Sequence, residues 1–144
     1  MNWRNGQNRF GMVDDFALLT LRDTPPTEDN LKRVAAETYG ALSGLGYVPC
    51  DTCAVDGLHM AMFETEDSAV TVGLSKDAET SWCLHVQMRD VGFLIATRDR
   101  RLAIVDRLNL HLHNVLVARA DLKTIEWFQE RKLIPKYGTA RPMA

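Results

Sequence analysis

The residues of this chain with the clearest chemical potential are three cysteines and a histidine at short spacings. Cys50 and Cys53 enclose two residues, and Cys83 stands two positions before His85. Three thiolates and one imidazole would complete a tetrahedral zinc shell, which makes this set a candidate metal site. In a regular strand, however, Cys50 and Cys53 point to opposite faces. Small buried thiols are the commoner state of cysteine in a reduced protein, so we expect no bound metal.

A redox role for the Cys50–Cys53 pair would need a thiol at the start of a helix, where the dipole lowers its pKa. The residues that follow contain the turn signal Asp56-Gly57 and indicate a hairpin instead. The chain also contains no glycine-rich phosphate loop, no Gly-x-Ser-x-Gly elbow, no His-Glu-x-x-His pair and no acidic calcium loop. We therefore expect no cofactor, and enzymes of the familiar cofactor and nucleotide classes are disfavoured.

A second histidine pair, His111 and His113, lies in a stretch that is predicted to be helical. Two residues apart on a helix, their rings point roughly 200° apart and cannot share a metal ion. The spacing places His111 on the apolar side with Leu108 and Val115, which predicts a buried histidine. His113 is expected on the more polar side with Asp106.

The element around which the fold is organised is the stretch from Arg98 to Asp121, which contains neither Gly nor Pro. Its apolar residues recur at three- and four-residue steps, which predicts a mostly buried helix. The helical spacing continues through Leu122, Ile125 and Phe128 to about Arg131. This continuation predicts either one long helix or two helices with a bend near Asp121.

The preceding residues predict a sheet and one further helix. Thr27 is a natural N-cap for a helix that ends near Gly44 and Gly46. Alternating or apolar segments predict strands over 12–22, 47–55, 58–65, 69–75, 81–88 and 93–97, with the Pro49 strand at a sheet edge. The fold class is therefore α+β, with an antiparallel meander sheet of about five to six strands packed against an N-terminal and a long C-terminal helix. We expect a flexible leader over 1–11, a single domain over 12–132 and an extended tail over 133–144.

Composition narrows the functional classes. The 144 residues are 46% hydrophobic and 25% charged, which is typical of a globular domain and excludes disordered and fibrous classes. No apolar run is long enough to cross a bilayer, and the N-terminus lacks the hydrophobic core of a secretory signal. With only three cysteines, the chain is expected to be cytoplasmic and without a membrane partner.

The charges are unevenly distributed along the chain. Residues 1–97 carry 7 basic and 14 acidic residues, whereas residues 98–144 carry 10 and 5. Attraction between the two halves of one domain explains this asymmetry. Because acids are interspersed among the basic residues, a nucleic-acid partner is not expected.

Strands 58–64 and 93–96 are apolar on both sides, so large apolar groups must emerge on the sheet face away from Trp82 and Leu84. The first helix, a second copy, another partner or a ligand must cover them. The same face carries short or neutral groups without Lys, Glu or Arg, which is typical of interface centres. The residues expected to bind protein are Phe63, Thr71, Cys83, His85 and Gln87.

These observations favour a non-enzymatic cytoplasmic binding protein, a homodimer that holds another polypeptide through its sheet face. The same order of elements occurs in small bacterial secretion chaperones and in helix-grip ligand binders. This is an analogy of topology only, because no residue pattern relates the chain to either family. The alternative is a small-molecule-binding protein or enzyme with a cavity between a curled sheet and the long helix. A closed apolar cavity of roughly 300 Å³ or more with His59 or His111 in its wall would favour that alternative. No catalytic residue can be assigned.

Overall fold

The described strands form one antiparallel sheet, covered on one face by two helices. The computed structural model describes residues 13–55, 57–65, 68–89, 95–132 and 138–143. In chain order its elements are β1 (Val13–Leu21), α1 (Glu28–Gly44), β2 (Pro49–Val55), β3 (Leu58–Glu64), β4 (Ala69–Ala78), β5 (Ser81–Met88), α2 (Ile95–Val117), β6 (Leu122–Phe128) and a short 3-10 helix (Glu130–Lys132). The strand order is β2-β3-β4-β5-β1-β6, which confirms the predicted α+β class.

The register of the strands determines which side chains meet the helices. Ala17 pairs with Leu84 of β5 and Trp127 of β6, and Leu19 pairs with Trp82 and Ile125. All six side chains belong to one buried cluster, together with apolar residues of both helices. We call this covered side the helix face and the opposite side the outer face.

Helix α1 begins as predicted. The Thr27 hydroxyl accepts a hydrogen bond from the Asn30 amide at 3.2 Å, and Glu28 and Asp29 occupy the first turn. Those acids favour the unpaired amides and the positive end of the helix dipole. Leu31, Val34 and Leu42 are fully buried against the sheet.

Helix α2 begins earlier than the sequence pattern indicated. Ile95, Ala96 and Thr97 were expected to end a strand, but the helix already starts at Ile95. The prediction of a strand over 93–97 is therefore wrong for 95–97, and residues 93 and 94 lie outside the described residues. A short apolar run does not distinguish a strand from a buried helical turn by periodicity alone.

The expected helical continuation after Asp121 is also wrong, because Leu122–Phe128 forms β6. This strand pairs with β1 on the side opposite β5 and forms one edge of the sheet. A register shift between Thr20 and Leu21 separates Leu122 from Ile125 by three residues on the same face. Because of this irregularity, the spacing of these two apolar residues in β6 resembles the three-residue step of a helix.

Residues near the C-terminus return to β6. Thr139 forms a two-way backbone bridge with Trp127, with N···O distances of 2.6 and 2.9 Å. The Met143 amide donates to the Gln129 side chain at 2.8 Å. This part of the expected extended tail therefore contacts the edge of the sheet.

Neither helix of the described residues combines the length and the apolar character that crossing a bilayer would require.

Candidate functional site

The outer face carries mostly apolar and uncharged polar side chains. Its register positions include Phe16, Leu18, Leu58, Met60, Met62, Thr71, Ser75, Cys83, His85, Gln87 and Phe128. Acidic residues stand among and around these, at Asp14, Asp51, Glu64 and Glu126, and none of the residues that pairing places on this face is Lys or Arg. The helices pack on the other side, so among the described residues no helix covers this surface.

Four of the five predicted binding residues lie together on the outer face. Thr71 pairs directly with Gln87, while Cys83 and His85 follow on the same side of β5. The fifth, Phe63, lies on the helix face with no exposed surface, so its assignment to this surface is wrong. Its ring meets Tyr39 and Tyr47 edge-on, with centroid distances of 6.2 and 6.4 Å.

A pocket of about 590 Å³ opens at one end of the outer face. Met60, Met62 and Ala69 supply its apolar surface, and Ser68, Thr71 and Gln87 supply uncharged polar groups. Arg89 and Arg101 complete the lining. The volume lies within the range of known ligand sites, which combine an apolar lining with a few polar groups.

An aromatic row crosses the outer face beside this pocket. Phe16 stacks on Phe128 with ring centroids 4.8 Å apart and lies 6.2 Å from the His85 ring. His85 Nδ1 is 4.0 Å from Asp14 Oδ1. Hydrogen bonding to Asp14, and then to Cys83, raises the pKa of His85 to about 9. The imidazolium therefore persists at neutral pH next to a carboxylate that is almost fully buried.

The cysteines do not form the metal site considered from their spacing. Cys50 and Cys53 are exposed on β2, whereas Cys83 is buried on β5. Two strands separate β2 from β5, which places Cys53 and His85 about 14 Å apart across the sheet. Within the described ranges, no three His, Cys, Asp or Glu residues are grouped as metal ligands.

A buried polar cluster on the helix face was not predicted. Asp15, with 1% exposure, accepts hydrogen bonds from Asn109 at 2.9 Å and Gln129 at 3.3 Å, and Arg131 lies 3.4 Å away. Burial raises the pKa of Asp15, and the nearby Arg131 charge only partly opposes this. The signal was present in the alternation of β1, since Asp15 shares a face with Val13 and Ala17.

The cluster ties α2 to the segment that follows β6. Arg131 also bonds Asp106 of α2, and Lys132 Nζ donates to the same carboxylate at 2.9 Å. Asn109 Oδ1 and Arg131 Nε are buried without a hydrogen-bond partner. Each of these side chains therefore has one buried polar atom without a hydrogen bond. The resulting loss of stability must be offset by the other hydrogen bonds of the cluster.

The helix phase expected for the two histidines is reversed. His113 is buried, with 5% exposure, and its Nδ1 accepts the indole N–H of Trp127 at 3.2 Å. Burial lowers the pKa of His113, which agrees with a neutral ring acting as acceptor. His111 is only half-buried and lies 3.0 Å from the Tyr47 hydroxyl.

His111 lines an open groove of about 360 Å³ between the end of α1, the end of β3 and α2. Tyr47, Arg107 and Glu64 bring further polar groups to it. Burial raises the pKa of Tyr47, so its hydroxyl stays protonated at neutral pH and can donate to His111. The groove is neither closed nor mainly apolar, unlike the cavity that the small-molecule alternative requires.

His59 links α1 to the β2–β3 hairpin, and among the described residues it lines neither the pocket on the outer face nor the groove at His111. Its Nε2 lies 2.7 Å from Glu28 Oε1, and the Gly57 amide donates to the other oxygen of Glu28 at 2.9 Å. The hydrogen bond with His59 lowers the pKa of Glu28. The Tyr39 hydroxyl donates to the His59 carbonyl at 2.6 Å. These contacts fix the start of α1 to the β2–β3 hairpin.

Comparison of the chain with models of known protein families finds no match, and comparison with curated protein sequences finds none either.

Proposed function

We propose that this chain is a non-enzymatic binding protein of the reducing cytoplasm that holds another polypeptide through its outer face. In this proposal the protein is a homodimer, and each copy presents its outer face to the partner. The observation that carries the proposal is the one-sided covering of the sheet. Both helices pack on the helix face, while the outer face is lined by Met60, Met62 and Phe128, and none of the residues that strand pairing places on it is Lys or Arg.

The composition of the outer face supports an interface. Solvated sheet faces normally carry charged side chains that prevent non-specific association. Here Thr71, Ser75 and Gln87 occupy the positions where such charges would stand. Interface centres are depleted in charge in the same way.

The extent of the face favours a polypeptide over a small ligand. Six strands at the usual spacing span about 24 Å from β2 to β6. Apolar side chains lie at both ends of this span, at Met60 on β3 and at Leu18 and Phe128 on β1 and β6. Short or polar side chains such as Thr71, Gly73 and His85 lie between them on β4 and β5. An extended segment of several residues matches this length, whereas a ligand the size of the 590 Å³ pocket covers only one end of it.

Strand β2 supports the dimeric part of the proposal. It is an edge strand, and its residues from Cys50 to Val55 are all exposed. The opposite edge, β6, is already bridged by Thr139. An exposed edge presents unpaired backbone groups on which a second copy can add its own strand.

A panel of labelled nine-residue peptides tests the binding function. Alternating apolar and polar residues would be used, with Glu, Lys or Ser at the polar positions, and binding would be followed by fluorescence anisotropy. We expect at least one class to bind, and Met62→Glu with Thr71→Glu to abolish that binding. The matched control is Ala103→Glu with Asn114→Glu, which adds two carboxylates at exposed positions of α2. Binding that survives in the face variant, or a panel without any binder, would refute the proposal.

Light scattering at micromolar concentration tests the dimer. The expected mass is twice the 16.2 kDa of one chain. Thr52→Lys with Ala54→Lys places like charges opposite each other across paired β2 edges, and this repulsion should yield monomers. Ala103→Lys with Asn114→Lys is the control. A monomeric wild type would remove the dimer from the proposal.

A second candidate function, the binding or conversion of a small molecule, is favoured by the groove at Tyr47 and His111. The two side chains lie within hydrogen-bond distance, and Arg107 adds a positive charge to the same groove. Screening small carboxylates by NMR tests this candidate. A hit whose shifts centre on His111 and vanish in His111→Ala would support it.

A further inference from the structure

We infer that the pocket at the end of the outer face is an anion subsite, and that the polypeptide bound there carries an acidic residue flanked by apolar ones. This inference rests on the proposed binding function, and it specifies the chemical class of the partner. The observation behind it is an apolar floor at Met60 and Met62 beside the exposed Arg89 in one cavity of about 590 Å³.

The described charged residues of this pocket differ in sign from most of those on the surrounding face. Among the described residues that line it, the charged ones, Arg89 and Arg101, are basic. Elsewhere on the outer face Asp51, Glu64 and Glu126 are acidic, and the His85 imidazolium lies beside the Asp14 carboxylate. Arg89 therefore gives this end of the face a positive charge that can position and orient an acidic group.

The side chains of the pocket suit a carboxylate better than a bare hydrocarbon. Arg89 is exposed and able to present its planar set of N–H donors to both oxygens of a carboxylate. Thr71 and Gln87 lie beside each other on neighbouring strands and add uncharged polar groups. Met60 and Met62 provide a flexible apolar surface that adapts to different neighbouring side chains.

The alternating directions of the side chains of an extended peptide fit this arrangement. In a strand, successive side chains point to opposite sides, so residues two apart lie on one face. A peptide that turns an acidic residue and an apolar residue two positions away toward the sheet would reach Arg89 and the Met60–Met62 surface together. The remaining apolar side chains on that face would continue toward Leu18 and Phe128.

The test compares two labelled nine-residue peptides that are identical except for Glu or Lys at the polar positions. We expect the Glu peptide to bind at least fivefold more tightly than the Lys peptide in about 50 mM salt. The preference should shrink in about 0.5 M salt, because exposed charges are screened there. Arg89→Gln should weaken binding of the Glu peptide roughly two- to fivefold, the range expected for an exposed ion pair.

Three controls make the result specific. Arg89→Lys retains the charge and should retain most of the preference, whereas Lys32→Gln removes a charge from the exposed side of α1 and should change nothing. Free N-acetylglutamate should not compete at concentrations that saturate the peptide. Competition by that small carboxylate would overturn the assignment to a polypeptide.

Failure of this inference is distinguishable from failure of the binding function. Equal binding of the Glu and Lys peptides, lost in both cases on Met62→Glu, would overturn the anion subsite while supporting peptide binding by the face. Tighter binding of the Lys peptide would overturn the subsite as well. Absence of binding by every peptide would overturn the proposed function and the inference together.

Discussion

Asp15 shows how much a single buried carboxylate contributes to joining separate parts of this chain. It accepts hydrogen bonds from α2 and from the segment after β6, through Asn109 and Gln129. Asp15→Ala would leave the Asn109 and Gln129 amides without this acceptor, while Arg131 would keep its bond to Asp106. We expect this change to reduce the free energy of unfolding by roughly 1–3 kcal/mol, the penalty for leaving a buried donor unsatisfied.

Urea denaturation measures the effect of Asp15→Ala directly. The control is Glu126→Ala, which removes an exposed carboxylate from β6 and should cost under about 0.5 kcal/mol. Similar losses in the two variants would mean that the buried cluster contributes little to stability.

His85 should make the stability of the fold decrease at alkaline pH. Its folded-state pKa of about 9 exceeds the ordinary value of 6.5. A raised histidine pKa stabilises the fold fully below the unfolded value, and this contribution is lost as pH rises through the folded value. The stability from His85 should therefore decline between about pH 6.5 and pH 9. NMR titration should place its midpoint near 9, and Asp14→Asn should shift the midpoint down; a wild-type midpoint below 6.5 would contradict this account.

Replacing His113 by Ala should destabilise the fold more than replacing His111 by Ala, which is the reverse of the order that the sequence predicts. A position on the more polar side of the helix, which periodicity predicts for His113, would make His113→Ala cost under about 1 kcal/mol. Since His113 accepts the buried Trp127 indole N–H, we now expect a loss of roughly 1–3 kcal/mol. His111→Ala should cost less. Thermal or urea unfolding of both variants decides the order, and a larger loss for His111→Ala would restore the original helix phase.

Residue-level prediction succeeded where strand alternation determined the face and failed where it did not. Thr71, Cys83, His85 and Gln87 alternate with large apolar residues, so their shared face could be inferred. Phe63 lies in a strand that is apolar on both sides, and only its pairing with Val70 places it on the helix face. The Asp15 cluster depends on contacts between residues more than 90 positions apart, which no local pattern contains.

At the scale of elements, the sequence predicted most of the sheet but assigned residues 95–97 to a strand and residues 122–128 to a helix. The bounds of β5 and the Thr27 cap of α1 follow from local signals and are confirmed. Strand β6 was missed because Leu122, Ile125 and Phe128 recur at three-residue steps. Its content of Thr124, Ile125, Trp127 and Phe128 is typical of strands and was the available signal.

The bridge from the C-terminal residues to β6 makes Gly138 a sensitive position. Its φ is +74°, and a Cβ there would lie 2.9 Å from both Phe128 Cζ and the Trp127 carbonyl oxygen. Gly138→Ala should therefore lower the melting temperature. Gly40→Ala is the matched control, because it lies in α1 with no atom near its Cβ position and should gain about 0.5–1 kcal/mol from helix propensity. Equal effects of the two changes would show that the bridge is not formed in solution.

The same bridge changes the expectation for truncation. The lack of apolar periodicity in residues 1–10 and 136–144 predicts that removing both segments changes the melting temperature by about 2 °C or less. Because Thr139 and Met143 bond β6 and Gln129, removal of 138–144 should now lower the melting temperature by more than that. A scanning calorimetry trace that does not change on truncation would favour the original expectation.

For the whole molecule, the uneven covering of the sheet connects the fold to the proposed function. Helix α2 crosses over β1 to connect β5 with β6, and α1 packs beside it on the same face. Every large apolar group on the helix face is thereby buried, including Trp82 and Trp127. In the part of the chain that the structure describes, no helix packs on the outer face, and Met62 is 38% exposed there. Apolar exposure of this kind is expected where a partner binds.

The measurement that tests this account most directly is NMR mapping of the Glu-containing probe peptide on the labelled protein. We predict that the largest amide shifts occur at Met62, Thr71 and Gln87 and diminish along the outer face toward Phe128. The same titration of the Met62→Glu, Thr71→Glu variant should show no saturable shifts. Shifts centred on the Tyr47–His111 groove or on the exposed sides of the helices would contradict the assignment of the outer face as the binding surface.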